Sequence, residues 1–541
     1  MNNRLYWIGQ DGDDLTCSRE LGRQTSMILV HCSVITCLLF QLTSDLAPSF
    51  SLLIAVNIPV LLLGDCFGIT KRKLMMAPPA TSLSSSSPLS RDSKAYFDID
   101  NKPEWARKPL LGFSTWSTQL LDDVPGYGGK HTEPWFNESK IKAVSDAMKL
   151  RLPKYEYINL DSGWSETFDE YGRWTYRKDL FPNGLRELSD HLRRNGHKLG
   201  LYMLPGIRKD AYEANTPILG TEYRLQDLVV DKKEGNGFKG STYMPDNHLD
   251  IVQQYYDSIA DAFAEWGVSF VKIDGCGPGG GDQFYPYQSP DTREDLKMMA
   301  RAFKRYDIWL ELSWFMDHTY ANDWALLSNG ARVFIDIESY STRTMTSSHR
   351  VFQRFTQAAR WVDYNVVGSD HGFYIDLDVV LVGMVVNGKC VDGLDNDDVR
   401  MSYISFWALV SSVFCIGADP RMIPDKYLAM LNHSDILAIH QAGNMARPIG
   451  SGDVWQNRKQ VWWKRMPDGR ICCGLFNAHT YMFMLGKSHE ITLDLKEVGF
   501  TNSQQVKLFD IWEGKDIGVF TDNYRVRLRP GQCQMLFLTK V

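Results

Sequence analysis

Two aspartates in this chain end apolar runs that also carry a cation, and that pairing is the first hint of chemistry. In Val271–Lys272–Ile273–Asp274–Gly275–Cys276 the lysine and the aspartate are two residues apart. On a strand they share one face. In Arg332–Val333–Phe334–Ile335–Asp336–Ile337–Glu338, Arg332, Phe334 and Asp336 fall on one face of an expected strand, with Asp336 near its end. Charges facing a protein interior are costly unless they are paired or used. Each run therefore has two open readings, a buried ion pair or a working carboxylate. A lysine beside Asp274 favours the ionised form that a nucleophile requires. Two carboxylates flanking a cavity are the minimum for glycoside hydrolysis, with retention expected at a separation of ~5–5.5 Å and inversion at ~6.5–9.5 Å.

Two further segments carry acids. Tyr157–Ile158–Asn159–Leu160–Asp161–Ser162–Gly163–Trp164 ends an apolar run in Asp161, with Trp164 following. A carboxylate accepts from sugar hydroxyls and an indole packs on a pyranose face; a helix N-cap role for Asp161 or Ser162 is the other reading. Ser369–Asp370–His371–Gly372, with Asp376 and Asp378 beyond, reads as solvated loop charge or as metal ligands. The ten cysteines show no metal spacing.

These residues need a frame. From about Lys108, short apolar runs alternate with segments of helical period. The runs are Leu110–Trp116, Tyr155–Asp161, Lys198–Leu204, Ser269–Asp274, Asp307–Ser313, Arg332–Ile337, Val366–Asp370 and Val413–Ala418. The helical segments include Ser139–Leu150, Gly184–Asn195, Leu249–Trp266, Thr292–Arg305 and Ser348–Val362. Repeated strand–helix units imply parallel strands, and eight of them close into a (β/α)8 TIM barrel, whose strand C-termini carry the active site. No glycine-rich dinucleotide loop follows the first run, which argues against an open doubly wound sheet. From about Gly443 the pattern changes to short strands separated by turns, an expected C-terminal antiparallel β-sandwich. The division is residues 1–95 as an N-terminal extension, 96–441 as the barrel and 442–541 as the sandwich.

The composition fits this frame. A chain of 541 residues exceeds one ordinary domain. A net charge of −6 without a long basic block excludes nucleic acid as an expected partner. The extension holds two apolar stretches, Met27–Leu42 and Phe50–Leu63, each shorter than the ~20 residues of a spanning helix. They are read as a displaced signal peptide, as a membrane anchor, or as a segment outside the folded enzyme. A Ser/Pro-rich linker, Thr81–Ser90, follows. Asn137–Glu138–Ser139 and Asn432–His433–Ser434 are sequons that fit a secreted or extracellular protein, with a membrane-anchored one as the alternative.

In order and spacing the motifs resemble glycoside hydrolase family 27, the α-galactosidases and α-N-acetylgalactosaminidases. Leu111–Gly112–Phe113–Ser114–Thr115–Trp116 is similar to the family's MGWNSW, and Tyr157 to Trp164 to its YxxxDDGW. Lys272 to Cys276 is similar to KxDxC, Arg332 to Ile337 to RxxxDI, and Asp376–Leu377–Asp378 to DPD. The resemblance runs from about Leu110 to Leu538. It implies a retaining exo-α-glycosidase that acts on oligosaccharides or glycoconjugates and uses no metal or organic cofactor. By the same implication Asp274 is the nucleophile and Asp336 the acid/base, while Asp161, Trp164, Lys272, Ser313, Trp314, Arg332 and Asp376 hold the sugar. An α-galactoside is the family default; an α-N-acetylgalactosaminide, a β-L-arabinopyranoside, or binding without hydrolysis are the alternatives. The rim departs from the family pattern. Ser162 replaces the second consecutive acid, Phe113 the pocket tryptophan, and Leu204 the acid that ends the third strand. Asp210 stands where Cys276 would find its disulfide partner. Ser313 stands where galactosidases carry an acid, with the bulky Met316 three residues on.

Overall fold

The computed structural model describes residues 103–123, 135–280, 288–341, 344–386, 388–480 and 487–541. The N-terminal apolar stretches, the Ser/Pro-rich linker and the extension as a whole lie outside the described residues. Among the described residues no helix is long and apolar enough to cross a membrane.

Eight parallel strands form the larger layer: β1 Leu111–Ser114, β2 Tyr157–Leu160, β3 Lys198–Met203, β4 Val268–Ile273, β5 Trp309–Leu312, β6 Gly330–Arg332, β7 Tyr374–Asp376 and β8 Phe414–Ile416. Their order around the sheet is β7-β6-β5-β4-β3-β2-β1-β8. The ring closes where Val413 N–H donates to Ile375 O at 3.0 Å and Val380 N–H to Cys415 O at 2.7 Å. This is the expected (β/α)8 barrel.

The barrel helices are α1 Trp116–Asp123, α2 Glu138–Arg151, α3 Gly184–Arg194, α4 Asp250–Glu265, α5 Arg293–Lys304, α6 Ala321–Leu327, α7 Ser348–Ala359 and α8 Asp397–Leu409; α2, α3, α4, α5 and α7 follow the segments named from the sequence, and α1, α6 and α8 were not among them. Their starts are set locally, since Asn137, Ser347 and Asn396 each accept from a backbone N–H of the first turn.

Two strands differ from expectation. The sixth was expected to run through Asp336, but β6 stops at Arg332. One more bond to the neighbouring strand follows, Val333 N–H to Asp376 O at 3.0 Å, and farther on side chains hold the backbone: Ile335 O accepts from Arg354 Nη2 at 2.6 Å, and Ile337 N–H donates to Asp378 Oδ2 at 2.8 Å. The seventh was expected at Val366–Asp370, but that stretch turns back on itself. Gly368 (φ 132°) and Gly372 (φ 55°) take left-handed conformations, Gly368 N–H donates to Phe373 O at 2.7 Å, and β7 starts only at Tyr374.

The sandwich comprises β9 Arg447–Pro448, β10 Lys459–Arg465, β11 Ile471–Asn477, β12 His489–Asp494, β13 Val506–Asp510, β14 Lys515–Phe520, β15 Asn523–Leu528 and β16 Cys533–Lys540. Six strands form one antiparallel sheet in the order β9-β10-β11-β16-β13-β14, and β12 pairs with β15. Its edge strand β14, mostly exposed and without clean alternation, has no counterpart among the expected strands.

Barrel and sandwich share one core. Phe406 of α8 stacks on Phe355 of α7, and both rings meet Trp462 and Phe476 from the sandwich. Lys464 of β10 is the polar counterpart of this contact. Its buried amine donates to Ile439 O (2.7 Å), Ser411 Oγ (2.9 Å) and Asn444 O (3.0 Å), with Ala408 O farther off at 3.4 Å, while burial lowers its pKa to about 7. Ala408 and Ile439 both sit near helix C-termini, whose carbonyls lack intrahelical partners and attract positive charge. Lys464→Met keeps the stem and removes the donors. We expect it to destabilise the fold by about 3 kcal/mol through orphaned buried carbonyls, read as a lower denaturation midpoint. An unmoved midpoint would show that the amine does not join the two layers.

Candidate active site

The ladder registers define what enters the barrel. In one row Tyr202, Lys272, Glu311, Gly330 and Tyr374 are successive partners across β3 to β7. At the C-terminal end of the barrel Arg332 is level with Asp376. There the chain leaves its strands: Asp274 N–H donates to Met203 O and Ser313 N–H to Ile273 O. Because partners in a parallel ladder point to the same side, the face bearing Lys272 and Glu311 also bears Asp274, Ser313, Arg332 and Asp376. Gly330 is required here, since a Cβ would come within 2.0 Å of Glu311 Oε2.

Lys272 pairs with Asp161, Nζ to Oδ2 at 2.8 Å, across 111 residues of sequence. The sequence had suggested Asp274 as its partner. Burial opposes the ammonium, but Asp161 and then Asp274 outweigh it and hold the lysine above its ordinary range. Asp274 is 8% exposed, and its Oδ1 accepts from Gly275 N–H at 2.9 Å. Among the described residues no cation lies within ion-pair distance of it.

Asp336 is held differently. Its Oδ1 is 2.7 Å from Arg332 Nη1, four residues back along the chain and not on a common strand face as expected. Tyr340 Oη donates to Oδ2 at 2.5 Å, and Arg350 donates to the Asp336 carbonyl at 2.7 Å. Tyr340 adopts φ 53°, a left-handed conformation costly for a bulky residue. It is positioned further by the Trp116 indole N–H, 3.2 Å from its oxygen. Burial pushes the Asp336 carboxyl up, yet Arg332 and the Tyr340 hydrogen bond override it and leave the group below the usual range. Arg332 also donates to Trp314 O at 3.2 Å. Burial works against its charge, but Asp336, Asp378, Asp274 and Asp376 hold the guanidinium well above its ordinary value.

Three neighbouring carboxyls behave oppositely. Burial, then Asp378, pushes Asp376 up to about 7. Burial, then Asp376, pushes Glu311 well above the usual range. Glu338, bonded by Ser117 Oγ at 2.5 Å, is pushed to about 8 by burial and then Asp378. The mouth therefore holds cations and an Asp336 biased toward its ionised form beside acids that burial biases toward the neutral form.

Of the expected sugar-contacting residues, Asp161, Lys272, Arg332 and Asp376 lie in this network. The Ser313 hydroxyl is buried without a hydrogen-bond partner. The Trp314 ring is nearly covered and packs edge-on against Phe238 at 4.8 Å. The expectation for Trp164 is corrected. Its ring is fully buried against Trp174, Phe263 and Trp266, and its N–H donates to Tyr202 O at 2.8 Å. It is core filling and offers no face to a sugar. Glu311, Glu338 and Tyr340 went unnoticed in the sequence, although Glu311 stands two residues before Ser313 in an apolar run, a visible signal. Cys276 is free, its Sγ donating to Ile273 O, and Asp210 pairs with Arg208. The Asp370–His371 segment lies ahead of β7, before the barrel rather than at its mouth, and among the described residues no group of three or more His, Cys, Asp or Glu is arranged to hold a metal ion.

A (β/α)8 barrel with a carboxylate-lined mouth and an attached β-sandwich is the architecture of a glycoside hydrolase, and comparison with known proteins agrees. Residues 241–442 match the family model described as alpha galactosidase A, and residues 456–538 match the alpha galactosidase C-terminal beta sandwich domain. Alpha-galactosidase 3 of Hypocrea jecorina is 27% identical over 465 residues, spanning 79% of this chain and 70% of its own. Alpha-galactosidase 2 of Arabidopsis thaliana is 25% identical over 446 residues, spanning 80% and 90%. The crystal structure of a GH27 β-L-arabinopyranosidase from Geobacillus stearothermophilus shares the fold, with a TM-score of 0.68, 23% identity and coverage of 82% and 98%. The chain belongs to glycoside hydrolase family 27.

Proposed function

We propose that the chain hydrolyses terminal α-D-galactosides by double displacement, with Asp274 as nucleophile and Asp336 as acid/base. The observation that carries this reading is the contrast between the two aspartates. Among the described residues Asp274 has no cation bound to it, and it sits beside a lysine already engaged by Asp161. Asp336 is gripped by a guanidinium and a phenol that fix its orientation.

In the first step an Asp274 oxygen bonds to the anomeric carbon, the glycosidic C–O bond breaks, and the departing oxygen takes the Asp336 proton. In the second, Asp336 takes a proton from water, whose oxygen attacks the same carbon and releases Asp274. Two inversions give net retention. Asp161, Lys272, Arg332 and Asp376 orient sugar hydroxyls. Ser313 favours one second reading, an α-N-acetylgalactosaminide, because its unpartnered hydroxyl marks the place where galactosidases carry an acid. Met316, also buried, fills the space three residues on.

A panel of aryl glycosides tests the reading: α-galactoside, α-N-acetylgalactosaminide, β-L-arabinopyranoside and α-glucoside. We expect the α-galactoside to show the highest kcat/KM. Preference for another member reassigns the sugar, and no turnover of any of them leaves a carbohydrate-binding protein. A site built to bond a hydroxyl discriminates by up to ~10⁴–10⁵-fold against a sugar lacking it, so the answer is expected to be clear.

A further inference from the structure

A cavity of about 190 Å³ lies between α7 and the loop that joins β9 to β10. Phe334 lines it, together with Gln353 and Gln357 of α7, Arg360 that caps the C-terminus of the same helix, and Asp453 and Trp455 from the loop. The spacing of 353, 357 and 360 places three polar side chains on one helical face.

Their hydrogen-bonding state is unusual. Gln357 is 2% exposed, yet among the described residues its Oε1 has no partner. Half-buried Gln353 and exposed Arg360 flank it, and among the described residues neither the amide nor the guanidinium has a hydrogen-bond or ion-pair partner, so both groups face solvent and are open to a ligand. Asp453 uses Oδ1 to accept from Thr356 Oγ and Trp455 N–H, both at 3.0 Å, which leaves Oδ2 without a partner there. Buried polar groups in folded proteins are nearly always satisfied, and an unmet one calls for an explanation.

Trp455 supplies the apolar element. It is 51% exposed, an unusual state for a tryptophan, with His349 packed edge-on at 5.5 Å and the Arg458 guanidinium 5.5 Å from the ring centre. Thr356 of α7 donates to Asp453 and accepts from Val454 N–H at 3.2 Å, which holds the loop against the helix, while the Trp455 N–H bond to Asp453 fixes the turn, so the ring is placed before any ligand arrives.

We infer that this cavity is a second carbohydrate-binding site, separate from the catalytic mouth, and that it takes one unit of a neutral saccharide. A half-exposed indole matches the C–H face of a sugar ring. Planar amides, a guanidinium and a carboxylate match its paired hydroxyls. Arg360 and Asp453 oppose each other in charge at one rim, which selects an uncharged ligand over an anionic one. The volume, below the ~300–1,000 Å³ of sites for drug-sized ligands, suits a single ring. The inference does not depend on which aspartate attacks.

The test is calorimetric titration of the full chain carrying Asp274→Asn, with galactose and with raffinose as separate probes. Two sites per chain are expected for at least one probe. Adding Trp455→Ala, or separately Gln357→Leu, is expected to remove one site and leave the other. In the wild-type background the same substitutions are expected to leave aryl-glycoside kcat/KM and the denaturation midpoint unchanged. A single site that survives both substitutions, loss of both sites together, or no binding of either probe would overturn the inference. Binding that depends on Trp455 in a chain with no hydrolytic activity would instead overturn the proposed function and leave the second site standing.

Discussion

Replacing Asp274 with asparagine is expected to lower kcat/KM for an aryl α-galactoside by at least about 10³-fold, equivalent to about 4 kcal/mol of lost transition-state stabilisation. An amide oxygen is a poor nucleophile, and the nearby carboxylates do not replace it, because Asp161 is bound by Lys272 and burial biases Asp376 toward its neutral form. The fold is expected to survive. The asparagine oxygen still accepts the Gly275 N–H, and no ion pair is broken. The denaturation midpoint should therefore stay put while turnover disappears. Asp274→Gly with added azide sharpens the test. Azide attacks the anomeric carbon from the side the carboxylate vacated, the aryl oxygen leaves, and the product is a glycosyl azide of inverted configuration. Activity within tenfold of wild type in the asparagine variant would refute the nucleophile assignment.

The frame of this site was legible in the sequence because a barrel strand is short, apolar and buried on both faces, so a charge at its end stands out. Lys272, Asp274, Asp161 and Arg332 were found on that basis, and all four lie at the mouth. What the sequence could not carry were pairings across distance. The partner of Lys272 is 111 residues away, and period-two alternation suggested the nearer Asp274. The same alternation extended β6 through Asp336, where the chain is in fact held by Arg354 and Asp378. Two side chains, not neighbouring strands, satisfy the backbone there, and a hydrophobicity pattern does not record that. Trp164 failed for a related reason. An aromatic beside an acid looks alike whether it faces a sugar or three other rings. Tyr340 went unread because its part depends on a left-handed backbone that nothing in its neighbours' identities demands.

Tyr340 matters most for the second large effect. Asp336→Asn is expected to slow hydrolysis by about 10²–10⁴-fold for substrates whose leaving group needs a proton, the usual contribution of general acid catalysis. An activated nitrophenyl leaving group needs little help, so its glycosylation step is expected to suffer far less than that of an unactivated oligosaccharide. Equal losses on both substrates would argue that Asp336 only shapes the site. The pH profile gives an independent check. The acid must be protonated to act, and Arg332 together with the Tyr340 hydroxyl favours its ionised form. In wild type, kcat/KM is therefore expected to fall as pH rises through a low titration point, giving an acidic optimum. Tyr340→Phe removes a donor to the carboxylate while the Arg332 pair remains. The ionised form is then less favoured, the group titrates higher, and the descending limb is expected to move toward neutral pH. A purely structural tyrosine would change the rate or the stability and leave that limb in place. Movement of the limb to lower pH would contradict the charge balance read from Arg332, Tyr340 and Asp336.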